Sequence, residues 1–124
     1  MADNKYGNGY YEEVQKVMDI LEKNEHLDFV RRIFNPEMLP HLTTKDGKPA
    51  THQMGWGDSH DENGIKRYWV YPNIVNIGGK LVWLKGGDAF KYARDTGEWI
   101  EVGSAEEADW LSKQYKLIWP EDKR

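Results

Sequence analysis

Two strand-like stretches joined by a polar turn constrain the fold of this chain most strongly. Residues 51–57 and 66–77 combine apolar, aromatic and glycine positions in short runs that are typical of strands. The connection between them, residues 58–64, is polar and ends in Asn63-Gly64, a dipeptide that favours a tight hairpin turn. We therefore predict an antiparallel hairpin at the centre of the chain.

The hairpin is predicted to continue into a third strand. A Gly-Gly pair turns the chain into the apolar residues 80–84, so residues 51–84 are interpreted as a three-stranded antiparallel meander. Pro72 cannot donate a backbone hydrogen bond to a neighbouring strand. We therefore expect a bulge or a sheet edge at this proline.

Helical periodicity follows the polar N-terminus. Apolar residues recur at helical spacing over residues 10–23, and Asn24 is expected to end this helix. A second, shorter apolar set over residues 27–34 ends before Pro36, because the residue preceding a proline is pushed away from helical geometry. Residues 37–50 are predicted to form a loop that includes at most one turn.

A short helix and a short strand are predicted after the meander. Asp88 is a suitable N-cap for a helix over residues 89–95, and Gly97 is a suitable C-terminal residue to close it. The alternation of apolar and polar residues over 99–102 predicts a fourth strand.

A C-terminal helix is indicated by its start signal. Ser104 and Glu107 have the spacing of a capping box, in which each side chain accepts a backbone hydrogen bond from the first helical turn. The helix is expected to end before Pro120. If the ring of Trp110 is fully buried in this helix, its removal is expected to cost ~3–5 kcal/mol of stability.

These elements predict one α+β domain, with a three- or four-stranded antiparallel sheet packed by N- and C-terminal helices. The length of 124 residues fits a single domain. The expected organisation is a polar leader over residues 1–9, the domain over 10–119 and a tail over 120–124. The N-terminus has no apolar signal-peptide core, and no apolar run approaches the ~20 residues needed to span a membrane, so no membrane partner is expected.

Charge and composition exclude some functional classes. The net charge of -4 argues against nonspecific nucleic-acid binding, which requires a basic surface. Arg31-Arg32 and Lys66-Arg67 are therefore expected to pair with nearby acids. The chain has no cysteine, which excludes disulfides and thiol chemistry. No phosphate-binding glycine motif or cofactor motif is present, so no cofactor is predicted.

Four polar residues around the predicted hairpin raise the question of a metal site or a small hydrolase. His52, Asp58, His60 and Asp61 are all residue types that bind divalent metals. Their spacing matches no recurrent zinc motif, and a polar hairpin tip commonly contains Asp and His. We predict no metal and keep His52 acting with Asp58 or His60 as an alternative.

Nucleophilic catalysis would require a hydroxyl group beside a histidine. Thr51 precedes His52 directly, but neighbouring residues of a strand point to opposite faces. The pair is therefore expected not to share a hydrogen bond, and no catalytic residue is predicted.

Aromatic residues form the remaining functional signal. Trp56, Tyr68, Trp69, Tyr71 and Trp83 lie on the three predicted strands. One face of the sheet must pack against the helices, and an exposed opposite face would form an apolar patch suited to a partner or a ligand. These five residues are the candidate binding surface, with helices on both faces as the alternative.

The order of several motifs along the chain resembles a known family. The motifs are Phe29-Val30-Arg31-Arg32-Ile33-Phe34-Asn35-Pro36, Asp46-Gly47-Lys48-Pro49-Ala50-Thr51-His52-Gln53-Met54, Tyr68-Trp69-Val70-Tyr71-Pro72 and Ala105-Glu106-Glu107-Ala108-Asp109-Trp110-Leu111-Ser112-Lys113-Gln114-Tyr115-Lys116. This order resembles a small uncharacterised domain of tailed-phage proteins, which also occurs within large polyvalent or internal virion proteins of short-tailed phages. The resemblance covers roughly residues 12–117 of this chain.

The resemblance implies a biological context without implying a catalytic mechanism. It implies a non-enzymatic phage product that is made in the host bacterial cytoplasm and built into the virion. Its expected partners are other virion proteins and, through self-association, further copies of the chain. A phage effector that inhibits a host protein is the alternative. Thr51, His52 and Pro72 lie in the shared motifs, where they serve either folding or docking.

Overall fold

The computed structural model describes residues 9–124, so residues 1–8 of the predicted leader lie outside the described part. The elements follow the order α1 (Tyr10–Lys23), α2 (Asp28–Phe34), β1 (Leu42–Thr43), β2 (Pro49–Ala50), β3 (Met54–His60), β4 (Lys66–Pro72), β5 (Ile74–Ile77), β6 (Lys80–Trp83), α3 (Gly86–Thr96), β7 (Ile100–Val102) and α4 (Ala105–Gln114). Two 3-10 turns, Tyr115–Ile118 and Glu121–Lys123, complete the chain. The α+β class predicted from the sequence is confirmed.

The central sheet has three antiparallel strands in the order β3-β4-β7. The predicted hairpin is present, and it pairs β3 with β4 from Met54 opposite Pro72 to His60 opposite Lys66. Strand β3 begins three residues later and ends three residues later than the predicted range of 51–57. Strand β7 then adds to the other edge of β4, with Val70 opposite Ile100.

The predicted three-stranded meander is wrong because its second strand, 66–77, breaks at Asn73 into β4 and β5. Strands β5 and β6 form a separate two-stranded hairpin instead of joining the central sheet. The chain leaves the sheet after the buried Pro72, at Asn73, whose backbone N–H still bonds to the Gln53 carbonyl oxygen in register with β3, at 2.7 Å. The Asn73 carbonyl oxygen then accepts from the Leu84 N–H at 2.7 Å. Pro72 is therefore a strand end.

The predicted loop over residues 37–50 contains one short antiparallel ladder. Leu42 pairs with Ala50 and Thr43 pairs with Pro49. The turn between these strands includes Gly47, whose φ of 78° lies in the left-handed region that favours glycine.

The main core lies between one face of the sheet and helices α1, α2 and α4. Helix α1 has the predicted bounds, with Asn24 as the C-cap residue that follows Lys23, and it buries Val17 and Leu21. A smaller cluster on the opposite face joins Tyr71 to α3. The buried residues of the main core are Val17, Leu21, Leu27, Phe29, Val30, Ile33, Val70, Ile100, Ala108, Leu111 and Tyr115.

The helix ends follow the predicted chemistry with two adjustments. Ser104 Oγ accepts from the Glu107 N–H at 3.1 Å, while Glu107 Oε1 accepts from the N–H of Gly103 rather than that of Ser104, at 2.8 Å. Helix α3 starts three residues earlier than predicted, so Asp88 lies in its first turn instead of capping it. Gly97 closes α3 in the left-handed conformation, as predicted.

Replacement of Trp110 with alanine is expected to cost only about 1–2 kcal/mol of unfolding free energy, because its ring is partly buried. Its indole N–H donates to Glu13 Oε1 at 3.3 Å, and the Lys16 ammonium lies 4.6 Å from the ring centroid. The matched control is Leu111→Ala, whose fully buried side chain should cost about 2–5 kcal/mol. Urea unfolding measures the free energy of unfolding of both variants. Equal losses for Trp110→Ala and Leu111→Ala would contradict the expectation that Trp110 contributes less than Leu111.

Candidate functional site

The five candidate aromatic residues do not share one surface. Trp56 lies opposite Val70 in the sheet, and both Trp56 and Tyr68 pack against the main core. Trp69 and Tyr71 alternate with Tyr68 and Val70 along β4, so they point to the opposite face. The sheet therefore divides four of the candidates between its two faces.

The face that contains Trp69 and Tyr71 is covered. Trp69 stacks on Trp99 with ring centroids 3.8 Å apart, and its indole N–H donates to Ser59 Oγ at 2.9 Å. Phe90 of α3 lies edge-on to Tyr71, with ring centroids 5.6 Å apart. A Cβ atom at Gly57 would come within 3.3 Å of the Phe90 ring, so glycine permits this close packing. The observed arrangement is therefore the alternative considered from the sequence, in which helices pack on both faces of the sheet.

Trp83 is the exposed member of the candidate set. It lies on β6 opposite Ile74, outside the central sheet, and 43% of its surface is exposed. Ile77 on the same hairpin is also exposed. The β5–β6 hairpin therefore presents two apolar side chains to solvent.

The carboxylate at the β3–β4 turn has a structural role. Asp61 Oδ1 accepts from the backbone N–H groups of Asn63 at 2.9 Å and Ile65 at 3.0 Å. Arg67 donates to the other carboxylate oxygen at 3.1 Å. The Ile65 backbone bond is the largest cause that lowers the pKa of Asp61 below its usual value.

The structure does not bring His52 together with Asp58 or His60. Strand β3 is extended and rises about 3.3 Å per residue, so His60 lies about 20 Å from Met54. His52 precedes β3 at the opposite end, while Asp58 pairs with Lys66 at 3.9 Å. Within residues 9–124, no group of three or more potential ligands is placed to hold a metal ion.

Thr51 and His52 share a hydrogen bond, so the sequence prediction for this pair is wrong. Thr51 Oγ1 lies 2.8 Å from His52 Nδ1. Both residues precede β3, which begins at Met54, and the alternation of side chains in a strand does not apply to them.

The ring of His52 lies in an apolar environment that keeps it neutral. Its centroid lies 5.4 Å from Trp119 and 6.3 Å from Tyr115, and the Nε2 atom is buried without a hydrogen-bond partner in the described structure. Burial, followed by the nearby positive charge of Arg32, lowers the pKa of His52 from 6.5 to about 3. A general base requires a pKa near the working pH. The imidazole is therefore poorly suited to that role at neutral pH.

Arg32 forms a buried polar centre, and this burial is not predicted from the sequence. Only 2% of its surface is exposed. Its Nε donates to Asp28 Oδ2 at 2.9 Å, and its two terminal nitrogens donate to the carbonyl oxygens of Thr51 at 3.2 Å and Ile74 at 3.0 Å. Arg32 therefore joins α2 to the segment before β3 and to β5. The prediction that the basic residues pair with nearby acids is confirmed for Arg32, which binds Asp28. It is also confirmed for Arg67, which binds Asp61 and Glu101.

Open grooves mark the surface on two sides. One, here named the α2 groove, has a volume of about 640 Å³ and is lined by Glu25, His26, Arg31, Phe34, Asn35 and Met38. A second, here named the β7 groove, has a volume of about 490 Å³ and lies between α1 and β7. The residues that line it are Ile20, Lys23, Asn24, Ile100, Glu101, Val102, Gly103 and Glu107.

The chain matches no protein-family model, no curated protein and no solved structure. The functional proposal below therefore depends on the geometry of the described residues and on the order of the sequence motifs. Among residues 9–124, no helix is both long enough and apolar enough to cross a membrane.

Proposed function

We propose that this protein is a non-enzymatic structural or accessory component of a tailed-phage virion and acts through protein–protein contacts. The order of the motifs shared with small phage domains supports the phage context. The observation that carries the contact role is the α2 groove, where Phe34 and Met38 expose 38% and 46% of their surfaces.

The α2 groove has the composition of a small contact surface. Phe34 is the last residue of α2, and Met38 follows in the adjoining loop. Polar side chains surround them, and Arg31 is held in place because its terminal nitrogen donates to the His26 carbonyl oxygen at 2.8 Å. An apolar centre with a polar rim is the usual anatomy of a protein interface. This composition supports the proposal that another virion protein docks in the α2 groove.

The first test is mass spectrometry of gradient-purified particles of the encoding phage, with the copy number measured against the major capsid protein. Many copies per particle would support a structural role. Absence from the particle would contradict the virion role and would favour the effector alternative, which predicts that the protein captures a host protein in the cytoplasm.

A variant tests whether the contact lies in the α2 groove. Met38→Glu is expected to reduce incorporation into particles at least tenfold, because a carboxylate would be desolvated at the apolar centre of the contact. The matched control is Ile65→Glu, which introduces the same charge at a side chain that is 60% exposed at the distant hairpin turn. Circular dichroism verifies that both variants fold. Equal incorporation of the two variants would exclude the α2 groove as the docking surface.

A further inference from the structure

The outer edge of the central sheet faces the β7 groove. Strand β7 pairs with β4 on one side and has no strand on its other side in the described structure. Four consecutive residues, 100–103, line the groove, while Ile20, Lys23 and Asn24 of α1 line its opposite wall. An unpaired strand edge can pair with the backbone of another chain. The Gly103 N–H is already bonded to Glu107 Oε1, so the open part of the sheet edge lies along β7 itself, beside the helical wall.

The groove continues along α1. A second depression of about 450 Å³ shares Ile20, Lys23 and Glu107 with the first and extends along the helix towards Glu12. The residues of α1 that line the two depressions run from Glu12 to Lys23, which is about 17 Å along the helix. About five residues of an extended chain cover the same distance. The two depressions thus have the length of a short bound strand.

The side chains of the groove favour an alternating apolar and basic segment. Ile20 and Val102 are partly buried and form an apolar floor. The rims contain the carboxylates of Glu12, Asp19 and Glu107 against the ammonium groups of Lys16 and Lys23, while the Glu101 carboxylate is already paired with Arg67 at 2.8 Å. Since side chains alternate along a strand, one set would face the floor and the other set would face the acidic rims.

We propose that the β7 groove binds an extended, lysine- or arginine-containing segment of a partner protein, which adds to the central sheet beside β7. Backbone hydrogen bonds to the β7 edge supply affinity, and the apolar floor and acidic rims select the side chains. This site is separate from the α2 groove and does not depend on a role in the virion. Loss of either surface by mutation can therefore be measured independently of the other.

The test uses the full chain labelled with 15N and a peptide of four Lys-Val repeats, followed by NMR titration. We expect shifts to concentrate at residues 100–103 and along the facing side of α1. A peptide of four Glu-Val repeats has the same length and alternation but the opposite charge, and it should bind at least tenfold more weakly. No shift at residues 100–103 at millimolar Lys-Val peptide, or equal binding of the two peptides, would overturn the proposal.

Two charge variants test the groove from opposite directions. Ile20→Lys places a cation in the floor and should weaken binding of the Lys-Val peptide at least fivefold. Lys23→Glu removes a rim cation and should strengthen it. Tyr11→Lys is the matched control, since Tyr11 lies on the same helix, is 61% exposed and does not line either depression. Equal weakening by Tyr11→Lys would contradict a specific site.

A second copy of the chain is the competing occupant of the edge. Analytical ultracentrifugation without peptide measures this directly. A monomer that binds the peptide supports the proposal, whereas a dimer that dissociates on Ile20→Lys would replace it with self-association through β7.

Discussion

Replacement of Arg32 with leucine is expected to lower the free energy of unfolding by about 3–5 kcal/mol. The side chain is buried, and its guanidinium donates to the Asp28 carboxylate and to two backbone carbonyl oxygens. Without these donors, the carbonyl oxygens of Thr51 and Ile74 lose their partner, and each buried unsatisfied group costs about 1–3 kcal/mol. The loss is expected because three segments of the chain depend on one side chain.

The neighbouring arginine supplies the matched control. Arg31 has 52% of its side chain exposed, and its terminal nitrogen lies 3.9 Å from an Asp28 carboxylate oxygen. Replacement of Arg31 with leucine is expected to lower the free energy of unfolding by at most about 1 kcal/mol. Arg32→Lys keeps the charge but has one compact ammonium group, which cannot reproduce three divergent hydrogen bonds, so it should lose most of the stability as well. Urea unfolding at pH 7 measures all three variants. Equal stability of Arg31→Leu and Arg32→Leu would contradict this role for Arg32.

Local chemistry made a large part of the fold predictable from the sequence. The spacing of apolar residues placed α1 at its observed bounds, and Asn63-Gly64 placed the turn between β3 and β4. Ser104 and Glu107 marked the start of α4. These signals depend on residues that lie close together in the chain, so they can be recognised in the sequence without knowledge of tertiary contacts.

The choice of the third strand could not be made from local signals. The apolar residues of β6 and those of β7 are equally suited to a strand, and the chain pairs β7 with β4 from about 30 residues away in sequence. The chain changes ladder at Asn73, whose N–H bonds to Gln53 beside β3 and whose carbonyl oxygen accepts from Leu84 beside β6. Such a change of partner depends on tertiary position and has no sequence pattern.

The buried polar groups show the same limit. Arg32 reaches Ile74, which lies 42 positions away, and the N–H groups at the start of α2 donate to Glu98, about 70 positions away. The sequence gives the charge of these side chains but not their partners. The burial of Arg32 was therefore not predictable.

The candidate aromatic surface was predictable in its alternation but not in its exposure. The two-residue period correctly separates Trp69 and Tyr71 from Tyr68 along β4. Whether a face stays open depends on α3 and on Trp99, which pack across the second face. The β7 groove joins α1 to a strand about 80 positions away, whereas the α2 groove is formed by the local stretch of residues 25–38.

Acidification from pH 7 to pH 4 is expected to cost about 3 kcal/mol of stability through His52 alone. Burial lowers the pKa of His52 from 6.5 to about 3 in the folded protein. Between these two values the unfolded chain binds a proton at His52 and the folded chain does not, so the unfolding free energy falls as the pH falls. The stability that the neutral His52 ring contributes is fully present above pH 6.5 and is progressively lost as the pH falls towards 3.

Burial is the largest cause of the low pKa of His52, and the positive charges of Arg32 on α2 and Lys116 in the 3-10 turn lower it further. The Phe29 backbone and Asp28 favour the protonated ring, but each has a smaller effect than burial. NMR titration of the His52 ring should therefore show no protonation above about pH 4.

The stability measurement compares the wild type with His52→Gln in urea at pH 7 and at pH 4. Asp61 and Asp109 also have lowered pKa values, so acid destabilises both proteins through carboxylates, and only the difference between the proteins reports on His52. We expect the wild type to lose about 3 kcal/mol more than the variant over this range. His60→Gln, at an exposed position on the hairpin, is the matched control and should lose as much as the wild type. Identical losses for the wild type and His52→Gln would show that the imidazole can be protonated without disturbing its apolar site.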